Sequence, residues 1–257
     1  MKFTFLGTGT SQGVPVIACE CNTCQSDNPK DKRLRSSLLF EKDDTVVLFD
    51  AGPDFRQQML RANVRRLDAI LLTHEHKDHI AGMDDVRAFN FITKDAIDIY
   101  AEKRVQSAIK IEYSYVFSDD PYPGVPMMRL NDINDGVPFR VKQLEIIPIR
   151  VRQWKLPIFG FRIADFAYIT DASFVSEESI NRLQGVRYLV VDALRREKHL
   201  SHFNIEDALE FASKISPEKI YFTHIGHQMG RYDDINPTLP HNVMLAYDGL
   251  CVETEDN

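Results

Sequence analysis

The run Leu67-Asp68-Ala69-Ile70-Leu71-Leu72-Thr73 leads directly into His74-Glu75-His76-Lys77-Asp78-His79. Apolar residues on both faces predict a central, buried strand over Leu67–Thr73. It delivers the chain straight into the polar cluster. The chain has eight histidines, and three of them fall in this H-x-H-x-D-H stretch. Imidazole nitrogen and carboxylate oxygen are the donors that zinc favours. Alternate positions at a strand end let His74 and His76 point one way. Asp78 and His79 fall on the next turn, where they can face a second metal. The expectation is a metal-dependent hydrolase.

Outward from this junction, short strands dominate the first half. Lys2–Leu6 predicts a strand, Ser36–Glu41 and Thr45–Phe49 a hairpin around Asp43-Asp44, and Ile97–Tyr100 a further strand. Pro53–Ala62 and Lys103–Ile111 predict helices, the first with proline in its opening turn. The second half repeats the pattern. Strands are predicted at Phe139–Val151, Phe159–Ile163, Phe166–Thr170, Tyr188–Asp192 and Lys219–Thr223. Helices are predicted at Ser176–Leu183 and Asn204–Lys214, the latter with Asn204 as N-cap and Asp207 at its third position. Strands then helix, twice over, suit two packed sheets with helices outside, an α/β sandwich. The whole span 1–257 reads as one domain. Residues 114–135 read as an inserted loop or lid, because Tyr115, Phe117 and Tyr122 persist as apolar anchors among the prolines and aspartates.

The 257 residues carry a net charge of −7, which repels long polyanions and disfavours whole-surface binding of RNA or DNA. A small phosphorylated substrate stays open, because a local metal site reverses the field. No signal-type segment appears at Met1–Gly7, and no stretch approaches the ~18 apolar residues of a membrane helix. The expected location is cytoplasmic, with no membrane partner. Cys19, Cys21 and Cys24 crowd together, which in a reducing compartment suggests a metal site before a disulfide framework. Cys251 stands in an apolar terminal pattern and reads as a core residue.

H-x-H-x-D-H after an apolar strand resembles the metallo-β-lactamase superfamily, and further matches extend along nearly the whole chain. Phe5-Leu6-Gly7-Thr8-Gly9-Thr10-Ser11 resembles its opening strand and turn. Phe49-Asp50-Ala51-Gly52 resembles the motif whose aspartate supports a ligand histidine. Tyr168-Ile169-Thr170-Asp171 resembles the segment whose aspartate bridges two metals. Tyr221-Phe222-Thr223-His224 resembles the strand that supplies the last histidine. The resemblance implies a four-layer αββα sandwich with His74, His76, Asp78, His79, Asp171 and His224 around two catalytic divalent metals, zinc or manganese. Within the superfamily the chain is most similar to PhnP-type cyclic phosphodiesterases. In that group a C-x-C-x-x-C run and a later histidine hold a structural zinc, which here implies Cys19, Cys21, Cys24 and His227. The same resemblance implies that His202, rather than nearby His199, serves the departing oxygen, and that Asp78 is catalytic as well as a metal ligand.

One departure stands out. Relatives are expected to carry a histidine ligand near Gln153, yet no histidine lies between His79 and His199. Three readings stay open: Gln153 binds weakly through its amide oxygen, a water takes the place, or the site is half-occupied with altered catalysis. Arg87 and Arg152 are candidate phosphate contacts, and Asp84 and Asp85 candidate helix caps. Tyr115, Tyr122 and Trp154 could stack on a ribose or base. The expected function is phosphodiester cleavage of a small cyclic or nucleotide-like substrate by a metal-activated hydroxide. The alternatives are a tRNA 3′-processing-type nuclease, a thioester hydrolase, or a catalytically impaired nucleotide-binding protein. The 114–135 insert could equally make a homodimer contact.

Overall fold

The computed structural model describes residues 1–120 and 122–254, so Pro121, within the expected insert, and residues 255–257 lie outside it. In chain order the strands are β1 (Lys2–Gly7), β2 (Ser37–Lys42), β3 (Thr45–Phe49), β4 (Ala69–Leu71), β5 (Ile97–Ala101), β6 (Met128–Asp132), β7 (Phe139–Val141) and β8 (Leu144–Gln153). They continue as β9 (Leu156–Ile163), β10 (Phe166–Ile169), β11 (Phe174–Val175), β12 (Tyr188–Asp192), β13 (Lys219–Thr223), β14 (Val243–Leu245) and β15 (Cys251–Glu253). The α-helices are α1 (Phe55–Arg61), α2 (Lys77–Ile80), α3 (Arg87–Thr93), α4 (Lys103–Glu112), α5 (Glu177–Arg182), α6 (Ile205–Ser213) and α7 (Tyr232–Ile235).

Among the described residues one sheet runs β15-β1-β2-β3-β4-β5-β6 and the other β11-β8-β9-β10-β12-β13-β14, with β7 paired to β8. Period-two alternation assigns the side chains to layers. In β3, Val47 and Phe49 point between the sheets while Leu48 points outward under the first helical layer. In β10, Phe166 and Tyr168 point between the sheets, and Ala167 and Ile169 point out under the second. The space between the sheets is aromatic: Phe3, Phe40 and Phe49 all have ring centroids within 6.2 Å of Phe166. Helices α1, α3 and α4 cover one outer face through Phe55, Met59, Phe89, Val105 and Ile109. Helices α5 and α6 cover the other through Ile180, Ala208, Phe211 and Ala212. The result is the expected αββα sandwich.

Local rules explain the ends of several elements. Ser176 accepts from Ser179 N to open α5, and Asn204 accepts from Asp207 N to open α6, as expected for residues with short polar side chains. Strand pairing is parallel from β3 through β6 and from β10 through β12 and β13 to β14. Parallel strands send the loops after their carboxyl ends to one edge of the sheet, where open α/β sheets place their sites.

Four expectations change. Phe139–Val151 is not one strand: β7 and β8 form a hairpin at Lys142, whose φ of 51° is left-handed. The insert is shorter than expected, since β6 pairs in parallel with β5 from within 114–135. Cys251 is exposed on edge strand β15 rather than buried. Asp84 and Asp85 make no side-chain cap; Asp84 instead binds Arg87 and the Tyr115 hydroxyl. No helix among the described residues is long and apolar enough to cross a membrane.

Candidate metal centre

The ends of β3, β4, β10, β12 and β13 bring the site together. Asp50 follows β3, Thr73 and His74 follow β4, Asp171 follows β10, Asp192 ends β12 and His224 follows β13. Asp50, Asp171 and His224 have φ of 58°, 58° and 55°, in the left-handed region that ordinary residues seldom adopt. Such strain persists only where the surroundings impose it, and it clusters at functional sites.

Asp50 is fully buried and organises the histidine loop from beneath. Its Oδ2 accepts from His79 Nδ1 at 2.8 Å, and its Oδ1 accepts from the Thr73 backbone N–H at 2.9 Å. The Thr73 hydroxyl donates to Asp50 and accepts from His74 Nδ1 at 2.9 Å. These partners assign the tautomers: with Nδ1 protonated, both rings keep an Nε2 lone pair free for another partner. Gly52 makes the approach feasible, because a Cβ there would overlap the Asp78 carbonyl oxygen. Ala51 N donates to His79 O at 2.7 Å and ties the two loops together.

Above this floor, ligand atoms of Asp78, His79, Asp171 and His224 all lie within 4.8 Å of one another. His79 Nε2 stands 3.1 Å from Asp78 Oδ2 and 3.4 Å from Asp171 Oδ2. His224 Nε2 stands 3.1 Å from Asp171 Oδ1 and 3.7 Å from Asp78 Oδ2. Both Nε2 atoms are buried without a hydrogen-bond partner. Ligands ~2.0–2.1 Å from a tetrahedral ion would be roughly 3.4 Å apart. The donor set and its spacing therefore fit a divalent cation. The electrostatics agree. Burial opposes charge on His79, yet the Asp171, Asp50 and Asp78 carboxylates outweigh it and hold the ring well above its ordinary value. Burial likewise opposes charge on His224, but Asp171, Asp192 and Asp78 raise it to about 10. A pocket this rich in carboxylates attracts positive charge.

His74 and His76 form a separate pair, with His74 Nε2 3.0 Å from His76 Nδ1. Gln153 is buried at the end of β8 beside Asp171 and His202, at 3.1 and 3.4 Å. His202 Nδ1 stands 3.2 Å from Asp192 Oδ2, and its ring stacks on His224 at a centroid distance of 4.8 Å. His76, Asp78, Gln153, Asp171, His202 and His224 line a cleft of about 480 Å³ that also holds Ser11, Trp154, Leu156 and Ser201. His199 pairs with Ser201 and is absent from the lining.

A second cluster gathers Cys19, Cys21 and Cys24 with His227 Nδ1, whose distances to the three sulfurs are 3.2, 3.4 and 3.6 Å. Zinc–sulfur and zinc–nitrogen bonds of ~2.3 and ~2.0 Å at tetrahedral angles predict roughly 3.5 Å. This set also fits a metal.

The structure places the two candidate arginines elsewhere. Arg87 is held by Asp84, and the Arg152 guanidinium lies over the Phe174 ring at 4.1 Å. Neither lines the cleft. Asp192 went unnoticed in the sequence. Its only signal was a carboxylate closing the apolar run Tyr188-Leu189-Val190-Val191, as Asp50 closes Val46-Val47-Leu48-Phe49.

An αββα sandwich with imidazoles and carboxylates gathered at its strand ends defines the metal-dependent hydrolase class built on the metallo-β-lactamase fold. The chain belongs to that superfamily and is PhnP-like: the beta-lactamase superfamily domain model matches residues 45–225. A solved diphosphatase from the PhnP family is 35% identical, with 99% of this chain and 98% of that one covered and a TM-score of 0.91. An octanoyltransferase of Porphyromonas gingivalis is 39% identical over 252 residues, 97% of this chain but 51% of that protein. A ribonuclease Z of Crocosphaera subtropica is 28% identical over 169 residues, 64% of this chain and 48% of that one. The chain thus spans about half the length of these curated relatives. Members of the superfamily are metal-dependent hydrolases.

Proposed function

We propose that this protein hydrolyses a small phosphorylated substrate, cleaving a cyclic or nucleotide-like phosphodiester or the related phosphoanhydride of a diphosphate. One observation carries the proposal: His202 is held through Nδ1 by buried Asp192, which turns Nε2 into the cleft beside Gln153. An imidazole steered in this way can hold a proton for a departing oxygen. Asp78, His79, Asp171 and His224 would hold a catalytic divalent ion, with His74 and His76 as ligands for a second. Cys19, Cys21, Cys24 and His227 would hold a structural zinc. Divalent ions held by these residues would supply Lewis acidity toward phosphoryl oxygens and would acidify a water molecule.

The chain's own residues do the rest. Asp50 and Thr73 orient His79 and His74, Asp192 orients His202, and Trp154 and Leu156 supply the apolar part of the cleft lining. The likeness to the PhnP-family diphosphatase supports attack at phosphorus. Likeness to ribonuclease Z favours a second reading, cleavage of an RNA phosphodiester, against which the net charge of −7 counts. The octanoyltransferase name describes a chain about twice as long, so acyl chemistry is an outcome to be tested.

The test is a substrate panel: bis-p-nitrophenyl phosphate, cyclic nucleotides, a nucleoside diphosphate ester, a precursor tRNA and an acyl thioester. Preferred turnover of the small phosphoryl substrates is expected. Faster turnover of the thioester or the tRNA would overturn the proposal.

A further inference from the structure

Asp171 faces two unlike surroundings. On one side its oxygens meet His79 Nε2 and His224 Nε2 at 3.4 and 3.1 Å. On the other, its Oδ1 lies 3.1 Å from Gln153 Nε2. The same amide nitrogen lies 3.4 Å from His202 Nε2. A carboxylate oxygen requires an N–H, so Asp171 assigns the NH₂ end of Gln153 to this position. The flipped amide would set oxygen against a carboxylate oxygen.

An amide NH₂ has no lone pair to give a metal. The carbonyl, a poorer ligand than imidazole, is at the other end of the group. The donor sets reflect this. Among the described residues, sets of three or more histidine, cysteine or acidic ligand atoms within 4.8 Å include Asp78–His79–Asp171–His224, and none contains His74 or His76. His76 is exposed, so ligands on that side are easily replaced by water.

We infer that Gln153 makes the catalytic centre unequal. Asp78, His79, Asp171 and His224 retain one divalent cation, while His74 and His76 take a second only weakly and exchangeably. Gln153 acts as a positioning residue, its N–H fixing the rotamer of Asp171 for the tight site. The inequality concerns metal occupancy and stands whichever substrate the cleft accepts.

Cobalt(II) titration of the metal-free full chain tests it. Cobalt bound by thiolates shows an intense ultraviolet charge-transfer band, and cobalt bound by nitrogen and oxygen shows weaker visible bands, so the two kinds of site are counted separately. One thiolate-type and one tight nitrogen–oxygen equivalent are expected. The next equivalent should bind roughly 100-fold more weakly or worse, since losing even a supporting partner costs about 10–100-fold. Gln153→His should tighten that last equivalent at least about tenfold. Gln153→Ala, which removes the donor without adding a ligand, should leave it weak and loosen the tight one. Two tight nitrogen–oxygen equivalents in the wild type, or an unchanged last equivalent in Gln153→His, would overturn the inference. These readouts need no turnover, so a substrate panel that fails with this stoichiometry intact counts against the proposed reaction alone.

Discussion

Asp50 Oδ2 accepts the Nδ1 proton of His79 at 2.8 Å, with both side chains fully buried. The contact spans two loops, one after β3 and one after β4, and fixes which nitrogen of His79 faces the cleft. Asn in place of Asp50 would keep an oxygen near His79 but lose charge and an acceptor. Asp50→Asn should lower catalytic metal affinity by about 10–100-fold with the fold retained. Competition against a chelator, with circular dichroism as control, measures this; unchanged affinity would refute the supporting role.

His202 is assigned to the leaving group, so its importance should depend on that group. His202→Ala should slow hydrolysis of a substrate with an alkoxide leaving group by about 10²–10⁴-fold. Hydrolysis of p-nitrophenyl esters, whose leaving group departs without a proton, should change far less. Equal losses on both substrates would remove His202 from that role.

The cysteine cluster carries a pH prediction. Burial tends to raise the Cys21 thiol, but the Cys24 backbone N–H and the His227 ring overcome it and bring it down to about 6. Burial dominates at Cys24 and pushes it up to about 11. In metal-free protein, iodoacetamide should modify Cys21 with a midpoint near pH 6 while Cys24 stays unreactive to well above pH 8. Bound zinc should protect both. Parallel labelling of the two thiols would contradict this assignment.

Removing the same site should loosen the loop it gathers. His227→Ala should release one equivalent of zinc and lower Tm by roughly 5–10 °C, the shift expected when ~2–3 kcal/mol is lost from a chain of this size. Differential scanning calorimetry with metal analysis decides it. Unaltered zinc content would show that His227 is no ligand.

Gly52 permits the contact between the Asp50 loop and the Asp78 backbone. Gly52→Ala must push the loops apart and should cost about 1–3 kcal/mol in denaturant unfolding, together with metal affinity. A variant as stable and as metal-competent as the wild type would show that the loops have room to spare.

Much of this was legible because the signals are local. The H-x-H-x-D-H cluster, the Leu-Phe-Asp at β3 and the closely spaced cysteines depend on neighbouring residues. Alternation in Val47-Leu48-Phe49 and Phe166-Ala167-Tyr168-Ile169 likewise encodes two packed faces. Strands Tyr188–Asp192 and Lys219–Thr223 appear with the expected bounds. The hairpin at Lys142 was hidden because Lys142-Gln143 carries no glycine, proline, asparagine or aspartate to mark a turn, and only pairing places one there. Cys251 looked like core, but edge position, which no local pattern encodes, left it exposed. Arg87 lies near the metal loop in sequence, yet a short helical turn carries it to Asp84 instead of the cleft.

The sequence by itself determined the layered α/β sandwich, the donor types and the strand ends that carry them, since periodicity and residue chemistry are properties of short segments. Only the tertiary structure decided which donors converge. Parallel pairing brings Asp171, Asp192 and His224, far apart in the chain, to one edge. It also turns the Gln153 amide N–H toward Asp171 and sets Asp192 behind His202. Those choices depend on distances of a few ångströms between segments up to 146 residues apart, from Asp78 to His224, and such distances are fixed by packing rather than by any local pattern.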